Sequence, residues 1–399
     1  MKDYPFPPET GSAIVAYNNI KALSKKHSIS IICKGVQKER GDIAELGEHV
    51  EFVSDIEFTN LGGIFSLIKM VRSVFLMLLG VPTLVSMDIL HRMRERVNEL
   101  TKLNTYDAIL MYEMYSIQYC PPSSYKKVVV NIEDPQSIRL SRIKELPVWP
   151  IYQRIKLLIY QKITENYERQ ILPRMAKVLV LSESDMCDMI KQGGYDNLEC
   201  VSYGVTKKAV KEIIEYESRT EGMIVFSGNM YHPANIDGAL FFLENIYSLV
   251  LFECPYATLW IVGANPDTRI GKAAARFGQS VIVTGRVNDI SEYLQYAMVS
   301  ICPVRLKIGV QTKILEALSW GTPVVATSAG NSGVCGSNGI DLWIEDEPDK
   351  FAKRVAELLR GQGWLKRSEK GRQFVTECFS WERSATELER HLERILVVD

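Results

Sequence analysis

The chain has 399 residues, of which 46% are hydrophobic and 24% are charged, values that are ordinary for a globular protein with full cores. This length predicts about two or three domains. The formal net charge of −1 argues against nucleic acid as the main partner, because nucleic-acid-binding domains are usually strongly basic.

The eight cysteines are scattered without a C-x-x-C pair, which predicts buried thiols in a reducing cytosol and neither a disulfide framework nor a zinc site. Met1 is followed by a proline-rich polar loop, so no signal peptide is predicted. The longest apolar stretch, residues 64–85, is interrupted by Lys69, Arg72 and Pro82. A spanning helix needs about 20 mostly uncharged residues, so none is predicted here.

Helical periodicity alternates with β-branched runs throughout the chain. Helices are predicted over residues 12–25, 67–79, 87–103, 312–320 and 381–396, the last of them capped by Ser380. Strands are predicted over residues 28–33, 50–53, 108–112, 127–132, 178–182, 223–226, 258–262, 281–284, 299–303 and 324–327. This alternation predicts an α/β protein with two doubly wound domains facing one cleft, joined by a polar linker near residues 205–221.

Residues 303–325 are the most informative stretch, because a strand, a glycine loop, an amphipathic helix and a second strand follow one another there. Thr312 and Lys313 open the helix, where free N–H groups and the helix dipole favour a phosphate. Glu316 lies one turn further on the same face. A lysine for a diphosphate and a carboxylate for ribose hydroxyls would suit a nucleotide; the alternative is a solvated Lys/Glu pair on a helix surface.

This stretch resembles the donor-binding motif of the retaining glycosyltransferases of family 4, which have the two-domain GT-B fold. The resemblance runs almost end to end, through segments that come in the family's order. They are YPFPPETG (4–11), YERQILPRMAKVLVLSESD (167–185), YGV (203–205), FSGNMYHPANIDGALFF (226–242), IVGANP, VTGRVNDI and FSWE.

The resemblance implies two Rossmann-like domains and places their limits. Residues 1–205 would form an N-terminal acceptor-binding domain, and residues 206–379 a C-terminal domain for the nucleotide sugar. Residues 380–399 would form a helix that crosses back to the first domain. The family's first strand precedes the proline-rich loop, yet Met1 stands directly beside that loop. Two explanations are open: the start of the chain is assigned too far downstream, or the chain lacks its innermost strand. Its loss would leave neighbouring strands without a ladder partner.

The chain departs from the family's donor motif at two further points. Where the family carries its first glutamate, this chain has Ile308, and the second glutamate is matched by Glu316. An arginine and a lysine that often follow Gly228 and Asn229 are absent, which leaves Lys313 and Arg305 as the candidate cations for the diphosphate.

The candidate donor site combines the resemblance with positions at strand ends. Arg286 and Val287 would pack the base, although a plain turn with a solvated Arg286 is the alternative. The backbone N–H groups of Gly309, Val310 and Gln311 would reach the sugar. The full candidate set is Gly11, Gly228, Asn229, His232, Gly263, Arg286, Val287, Arg305, Gly309, Val310, Gln311, Thr312, Lys313 and Glu316.

The predicted catalytic residues are Glu113, Lys313 and Glu316, and Glu113 and Asp134 are placed on the acceptor side. No nucleophile is nominated, because the family's retaining chemistry is described as front-face attack assisted by the leaving phosphate. The sequence contains no D-x-D of the kind in GT-A enzymes and no H-x-x-H. We therefore expect no metal and no cofactor, since Lys313 can balance the diphosphate.

A basic segment raises the question of membrane contact. Residues 139–177 contain nine basic and three acidic side chains, and residues 149–163 mix aromatic and aliphatic side chains with arginine and lysine. This composition suits a helix on an anionic leaflet. The alternative is an ordinary two-faced helix of the first domain.

The resemblance implies transfer of a hexose from a UDP- or GDP-sugar to a glycan or lipid-linked glycan, as in bacterial exopolysaccharide and capsule synthesis. The expected location is the cytoplasm, with the inner face of the plasma membrane as an option. Two alternatives stay open. One is a non-catalytic GT-B scaffold that binds nucleotide or serves an assembly complex, and the other is an epimerase acting on a nucleotide sugar.

Overall fold

A computed structural model of the chain describes residues 11–34, 46–47, 49–56, 75–77, 79–82, 85, 91–145, 150–205, 215–307 and 309–396. The acceptor-side loop before Gly11, most of the helix predicted over 67–79, most of the linker and Ile308 lie outside these residues. The chain divides into two compact units: residues 1–141, 151–204 and 381–399 form the first, and residues 142–150 and 205–380 form the second.

The first unit contains two parallel sheets. Its strands are β1 (Ile29–Lys34), β2 (Val50–Ile56), β3 (Ile109–Tyr112), β4 (Val128–Ile132), β5 (Lys177–Val180) and β6 (Leu198–Cys200). Strands β1 and β2 pair with each other, and β3 to β6 form a separate four-stranded sheet in chain order. All five residues of β4 are buried, which explains its nearly unbroken apolar run, since a parallel strand is covered on both faces.

The helices of the first unit come from both ends of the chain. They are α1 (Gly11–Leu23), α2 (His91–Leu103), α3 (Gln136–Ile143), α4 (Ile151–Ile171), α5 (Glu183–Gly193) and the last helix, α14 (Trp381–Leu396). Leu388 of α14 packs with Leu23 of α1 in one buried cluster. A Cβ atom at Gly204 would lie 2.4 Å from the ring of Trp381, so the YGV and FSWE segments are in contact through this glycine.

The second unit is built on one six-stranded parallel sheet. Its strands are β7 (Met223–Ser227), β8 (Thr258–Val262), β9 (Val281–Gly285), β10 (Val299–Cys302), β11 (Val324–Ala326) and β12 (Trp343–Ile344). They lie in the order β12-β11-β10-β7-β8-β9, so the direction of winding reverses between β7 and β10. In an open parallel sheet, ligands bind beside the carboxyl ends of the strands at such a reversal.

Eight helices of the second unit lie between or after these strands in the part of the chain that the structure describes. They are α6 (Pro233–Asn245), α7 (Tyr247–Glu253), α8 (Thr268–Ala274), α9 (Ser291–Tyr296), α10 (Thr312–Ser319), α11 (Ser328–Asn331), α12 (Pro348–Leu359) and α13 (Trp364–Cys378). Every strand predicted from the sequence is present, with small shifts of its ends. The sequence missed β6 and β12, which have three and two residues and are too short to show a period.

Among the described residues, no single helix combines the length and the apolar character that crossing a membrane requires. The consecutive helices α6 and α7 meet the requirements of length and apolar composition only when they are counted together, and the chain bends by 45° between them.

Candidate functional site

Two glycines meet at the carboxyl ends of β7 and β8. Gly228 directly follows β7 and donates its N–H to the Val262 carbonyl at 3.0 Å, and Gly263 donates to the Gly285 carbonyl at 3.1 Å. Both glycines have φ angles close to 150°, a conformation that other residues rarely adopt. A Cβ atom at Gly263 would lie 1.7 Å from the Gly228 carbonyl oxygen. Only glycine therefore allows these two strand ends to approach each other.

We expect Gly263→Ala to lower the free energy of unfolding by at least about 3 kcal/mol, because backbone strain adds to a contact that cannot relax. Gly271, in helix α8, is the matched control, since a Cβ atom there would meet nothing within 4 Å. Gly271→Ala should stabilise the protein by about 0.5–1 kcal/mol. Urea unfolding of both variants measures the difference, and equal midpoints would show that the two strand ends are not in close contact.

Lys313 is held beside Gly228. Its side chain is only 7% exposed, and its Nζ atom donates to the Asn235 Oδ1 atom. The same atom lies 4.7 Å from the centroid of the Phe226 ring and would be 3.2 Å from a Cβ atom at Gly228. Burial lowers the pKa of Lys313, and the nearby Glu316 carboxyl acts in the opposite direction. A lysine ammonium has three N–H donors, of which Asn235 takes one.

Glu316 lies one turn after Lys313 on α10 and is half-buried. Burial raises the pKa of its carboxyl to about 7, against the opposing charge of Lys313. The carboxyl is therefore roughly half ionised at neutral pH. Because Lys313 is buried, the two residues do not form the fully solvated Lys/Glu surface pair that the sequence left as the alternative.

Arg305 forms an ion pair with Asp237. Its Nε and Nη2 atoms donate to the two carboxylate oxygens of Asp237 at 2.9 and 2.6 Å, and Asp237 is 2% exposed. Its guanidinium also lies 4.7 Å from the centroid of the Phe241 ring. This bidentate pair ties the loop after β10 to helix α6 and balances the charge of Arg305. Lys313 is therefore the better placed of the two candidate cations.

The other predicted donor residues border the same strand ends. Asn229 is exposed, and its Oδ1 atom accepts from the Tyr231 N–H at 3.1 Å. His232 is half-buried at the N-cap of α6, where its side chain makes no capping hydrogen bond. Arg286 and Val287 directly follow β9, with Arg286 exposed and Val287 half-buried.

The loop between β10 and α10 packs closely against Gly333. Gly309 has a φ angle of 48°, and a Cβ atom at Gly333 would lie 2.0 Å from its carbonyl oxygen. Val310 and Gln311 are half-buried, and Thr312 begins α10. Gln311 is the N-cap residue, and its carbonyl accepts from the Ile314 N–H at 2.9 Å. These residues border the carboxyl end of β10 and therefore lie on the side of the reversal opposite β8.

Glu113 lies at the carboxyl end of β3 in the first unit and has an unusual backbone. Its φ and ψ angles are 67° and 144°, in a region that is almost reserved for glycine. Its N–H donates to the Asn131 carbonyl at 2.8 Å, which holds this conformation. Burial, together with the negative charges of the neighbouring Glu133 and Asp134, raises the pKa of its carboxyl to about 8.

Glu133 and Asp134 follow the adjacent strand β4. Burial raises the pKa of Glu133 to about 7, although a hydrogen bond from Ser12 opposes the shift. Within the described residues its buried Oε1 atom has no hydrogen-bond partner. Asp134 faces the Arg139 Nε atom at 3.4 Å. The carboxyl edge of this sheet thus gathers three acidic side chains, of which the sequence analysis named Glu113 and Asp134.

Gly11 is the first residue of α1, and a Cβ atom there would meet only the Glu133 Oε2 atom, at the ordinary distance of 3.8 Å. The sequence analysis missed Asn235, Glu133 and Gly333. Glu133 follows a buried strand by the same logic that selected Asp134. Asn235 is a polar residue in an otherwise apolar helix start, a signal that could have been used. Gly333 has no comparable signal, because its partner Gly309 lies in a distant loop.

No group of three or more His, Cys, Asp or Glu side chains within the described ranges could hold a metal ion.

The match to a protein family lies in the second unit. Residues 221–361 match the family model described as glycosyl transferases group 1. An uncharacterized 44.6 kDa protein in the cps region of Klebsiella pneumoniae is 26% identical over 138 residues, covering 33% of this chain and 36% of that relative. The chain therefore matches about a third of the relative's length.

Solved structures resemble the whole chain. Sucrose-phosphate synthase from Thermosynechococcus elongatus has a TM-score of 0.70 at 15% identity, covering 98% of this chain and 94% of that one. Anabaena Alr3699/HepE in complex with UDP and glucose has a TM-score of 0.63 at 13% identity, covering 98% of both chains. A glycosyltransferase from Rickettsia africae has a TM-score of 0.64 at 13% identity, covering 100% and 98%.

At these identities the structural likeness shows the fold alone, and it confirms the predicted fold class. The chain is an α/β protein with the GT-B fold of two Rossmann-like domains, and its second unit contains the segment that matches the group 1 glycosyl transferases.

Proposed function

We propose that this protein is a glycosyltransferase of the family 4 type, which moves a hexose from a UDP- or GDP-sugar to a glycan or lipid-linked glycan. The observation that carries the proposal is the buried Lys313 beside Gly228, at the strand end where the winding of the second sheet reverses. The family match over residues 221–361 supports it. The relative in a cps region supports a role in bacterial surface polysaccharide synthesis.

The donor would bind with its diphosphate on Lys313 and on the first N–H groups of α10, where the helix dipole also favours an anion. Gly228 and Gly263 leave the strand ends without side chains, so phosphate oxygens can approach the backbone. The Glu316 carboxylate would accept hydrogen bonds from ribose hydroxyls, and Arg286 and Val287 would flank the base. A phosphate beside Lys313 would favour its charged form, which burial alone disfavours.

Departure of the nucleoside diphosphate is the step that Lys313 would assist, because the ammonium stands where negative charge develops. We infer retention of the anomeric configuration, with the acceptor attacking on the face from which the diphosphate leaves. We also expect transfer to proceed without a divalent ion, since Lys313 supplies positive charge at the leaving group.

Glu113 and Asp134 are proposed to serve the acceptor from the first unit. With a pKa of about 8, the Glu113 carboxyl is mostly protonated at neutral pH, so it can donate a hydrogen bond to a sugar oxygen. Glu133, with a pKa of about 7, can accept one in its ionised form. A protonated and an ionised carboxyl side by side could orient an acceptor hydroxyl.

The proposal is tested by incubating the protein with labelled UDP- and GDP-hexoses and a lipid-linked glycan fraction, with and without EDTA. We expect label to enter the glycan from one nucleotide class, in both conditions, and not with the Lys313→Met variant. Proton NMR of the product gives the anomeric configuration. Binding of a nucleotide without transfer to any acceptor would favour the non-catalytic scaffold, and formation of a new free nucleotide sugar would favour the epimerase.

We further propose that the protein works at the cytoplasmic face of a membrane, which it contacts through α4. Five large apolar side chains in the first half of this helix are 45–71% exposed, namely Ile151, Tyr152, Ile155, Leu158 and Ile159. Their spacing places most of them on one helical face, and basic side chains such as Lys156 and Lys162 lie between and beyond them. Such a face suits the interface of an anionic leaflet.

Replacing both Ile155 and Leu158 by serine should weaken binding to phosphatidylglycerol vesicles by about tenfold or more, because two aliphatic side chains that would insert into the membrane are lost. Sedimentation with vesicles measures the change. The matched control is Phe252→Ser in the second unit, which alters a side chain that is 88% exposed and should leave binding unchanged. Equal binding of the parent to phosphatidylcholine and phosphatidylglycerol, or no effect of the double change, would contradict membrane contact through α4.

A further inference from the structure

The side chain of Asn235 joins three segments at the carboxyl end of β7. This residue lies in the first turn of α6 and is 9% exposed. Its Oδ1 atom accepts from the Lys313 Nζ atom of α10, and its Nδ2 atom donates to the Asn229 carbonyl at 2.9 Å. A Cβ atom at Gly228 would lie 2.8 Å from the Asn235 Nδ2 atom and 3.2 Å from the Lys313 Nζ atom, so both nitrogens lie beside this glycine.

The two partners fix the orientation of the Asn235 amide. An ammonium only donates hydrogen bonds and a carbonyl oxygen only accepts them, so the Oδ1 atom faces Lys313 and the Nδ2 atom faces Asn229. The Asn229 carbonyl also accepts from the His232 N–H at 3.1 Å. One amide group therefore holds the buried ammonium and the turn after β7 together. An aspartate lacks the N–H donor, and an apolar residue lacks both groups, so neither can make both bonds.

A second side chain of α6 holds the other cation of the segment after β10 in a different way. Asp237, two residues after Asn235, accepts two hydrogen bonds from the Arg305 guanidinium, and its negative charge balances that of the arginine. Asn235 is neutral, so it satisfies one N–H donor of Lys313 without balancing the positive charge. Helix α6 thus distinguishes a cation that is paired within the protein from a cation that can attract an anion.

We propose that Asn235 is a positioning residue for the donor diphosphate, which holds the Lys313 ammonium beside Gly228 without neutralising it. This role rests on the proposed function, because it concerns the binding of the nucleotide sugar. Asn235 takes no part in the chemistry and acts through Lys313. Its neutrality is the decisive property, since a carboxylate at the same position would also accept a hydrogen bond from the lysine but would repel the phosphates.

Two titratable groups also act on Lys313. The Cys302 thiol at the end of β10 and the Glu316 carboxyl on α10 both favour the ammonium form, against the effect of burial. Burial raises the pKa of the Cys302 thiol, so this group is neutral at pH 7. Burial also raises the pKa of Glu316 to about 7, so its carboxyl carries only part of a charge there. A carboxylate placed in contact with the Lys313 Nζ atom should therefore have a larger effect than either group.

The test compares Asn235→Asp with Asn245→Asp, which makes the same change at the exposed last residue of α6. Calorimetric titration with inorganic diphosphate should show affinity reduced by at least about 100-fold in Asn235→Asp and unchanged in Asn245→Asp. In the ligand-free protein, carbon-13 NMR of the lysine Cε atoms should show the pKa of Lys313 raised by about one unit or more in Asn235→Asp alone. The signal that disappears in Lys313→Met identifies this lysine.

Asn235→Ala removes the contact with Lys313 without adding a charge. Inorganic diphosphate should bind about tenfold more weakly to this variant, because the ammonium is no longer held in place. The pKa of Lys313 should not rise, since no carboxylate is added. This variant decides the question if Asn235→Asp does not fold. A purely structural role of Asn235 would lower the urea midpoint of the variants and leave the diphosphate affinity of the folded protein unchanged.

Undiminished diphosphate binding by folded Asn235→Asp or Asn235→Ala, or equal losses in Asn235→Asp and Asn245→Asp, would overturn the role of Asn235 and leave the proposed function intact. If the parent protein binds neither inorganic diphosphate nor a nucleoside diphosphate, the proposed function fails and the role of Asn235 fails with it. Binding by the parent protein therefore distinguishes the two failures.

Discussion

The Lys313→Met variant should bind its nucleotide donor at least about 100-fold more weakly than the parent, because a charge-assisted contact to phosphate is lost. Methionine keeps most of the buried volume beside Phe226 and removes only the cation. Calorimetric titration with UDP, GDP and their hexose conjugates measures the loss. The matched control is Lys272→Met on α8, an exposed position where affinity should not change.

The same variant should be at least as stable as the parent at pH 7. Burial lowers the pKa of Lys313 below 10.5, so the folded protein disfavours the ammonium form. The parent should therefore gain stability as the pH rises from the folded pKa of Lys313 towards 10.5, and Lys313→Met should lack this gain. Urea unfolding from neutral to alkaline pH measures it. Undiminished nucleotide binding by a folded Lys313→Met protein would remove this lysine from the donor site.

Changes at Glu113 should stabilise the first unit while reducing activity. The folded carboxyl has a pKa of about 8 against 4.5 in the unfolded chain, so only the folded state holds the proton between these values. Across that window its contribution to the free energy of unfolding falls with rising pH, by at most about 1.4 kcal/mol per pH unit. Glu113→Gln does not lose stability in this way. The free energy of unfolding of this variant should therefore exceed that of the parent by an amount that grows between pH 4.5 and pH 8 and stays constant above pH 8.

Glu113→Gly separates charge from backbone strain. Glu113→Gln and Glu113→Gly both remove the carboxyl. Only glycine also relieves the strain of a residue with φ of 67° and ψ of 144°, which should add about 1–3 kcal/mol to the free energy of unfolding. We expect both to lower the rate of sugar transfer by about 100-fold, as loss of an acid or base group commonly does. Urea unfolding and transfer assays on the same samples give both numbers. Variants that are more stable and fully active would show that this strained acid has no part in the reaction.

The sequence predicted the strands well, because long parallel strands carry β-branched runs and the helices between them keep their period. It also selected Lys313 and Glu316 by their place at a helix start. It could not show that Lys313 is buried, since this depends on Asn235, 78 residues earlier in the chain. For the same reason the pairing of Arg305 with Asp237, 68 residues away, was not foreseen.

Glu113 illustrates a different limit. Its position after a predicted strand was visible, but its backbone conformation is imposed by the bond to Asn131 on the neighbouring strand. The described residues also show a cavity that is bordered by β1 and β3. No local pattern carries such information, because it arises only when distant segments pack together.

The central claim is that the second unit binds a nucleotide where β7, β10 and α10 meet. It is tested most directly by thermal unfolding with UDP, GDP, ADP and their sugar conjugates. A ligand at 100 times its dissociation constant adds about 2.7 kcal/mol to the free energy of unfolding. We expect one nucleotide class to stabilise the parent and Lys272→Met, and to have no effect on Lys313→Met or Glu316→Ala. Absence of stabilisation by every nucleotide, or equal stabilisation of all four proteins, would contradict the account.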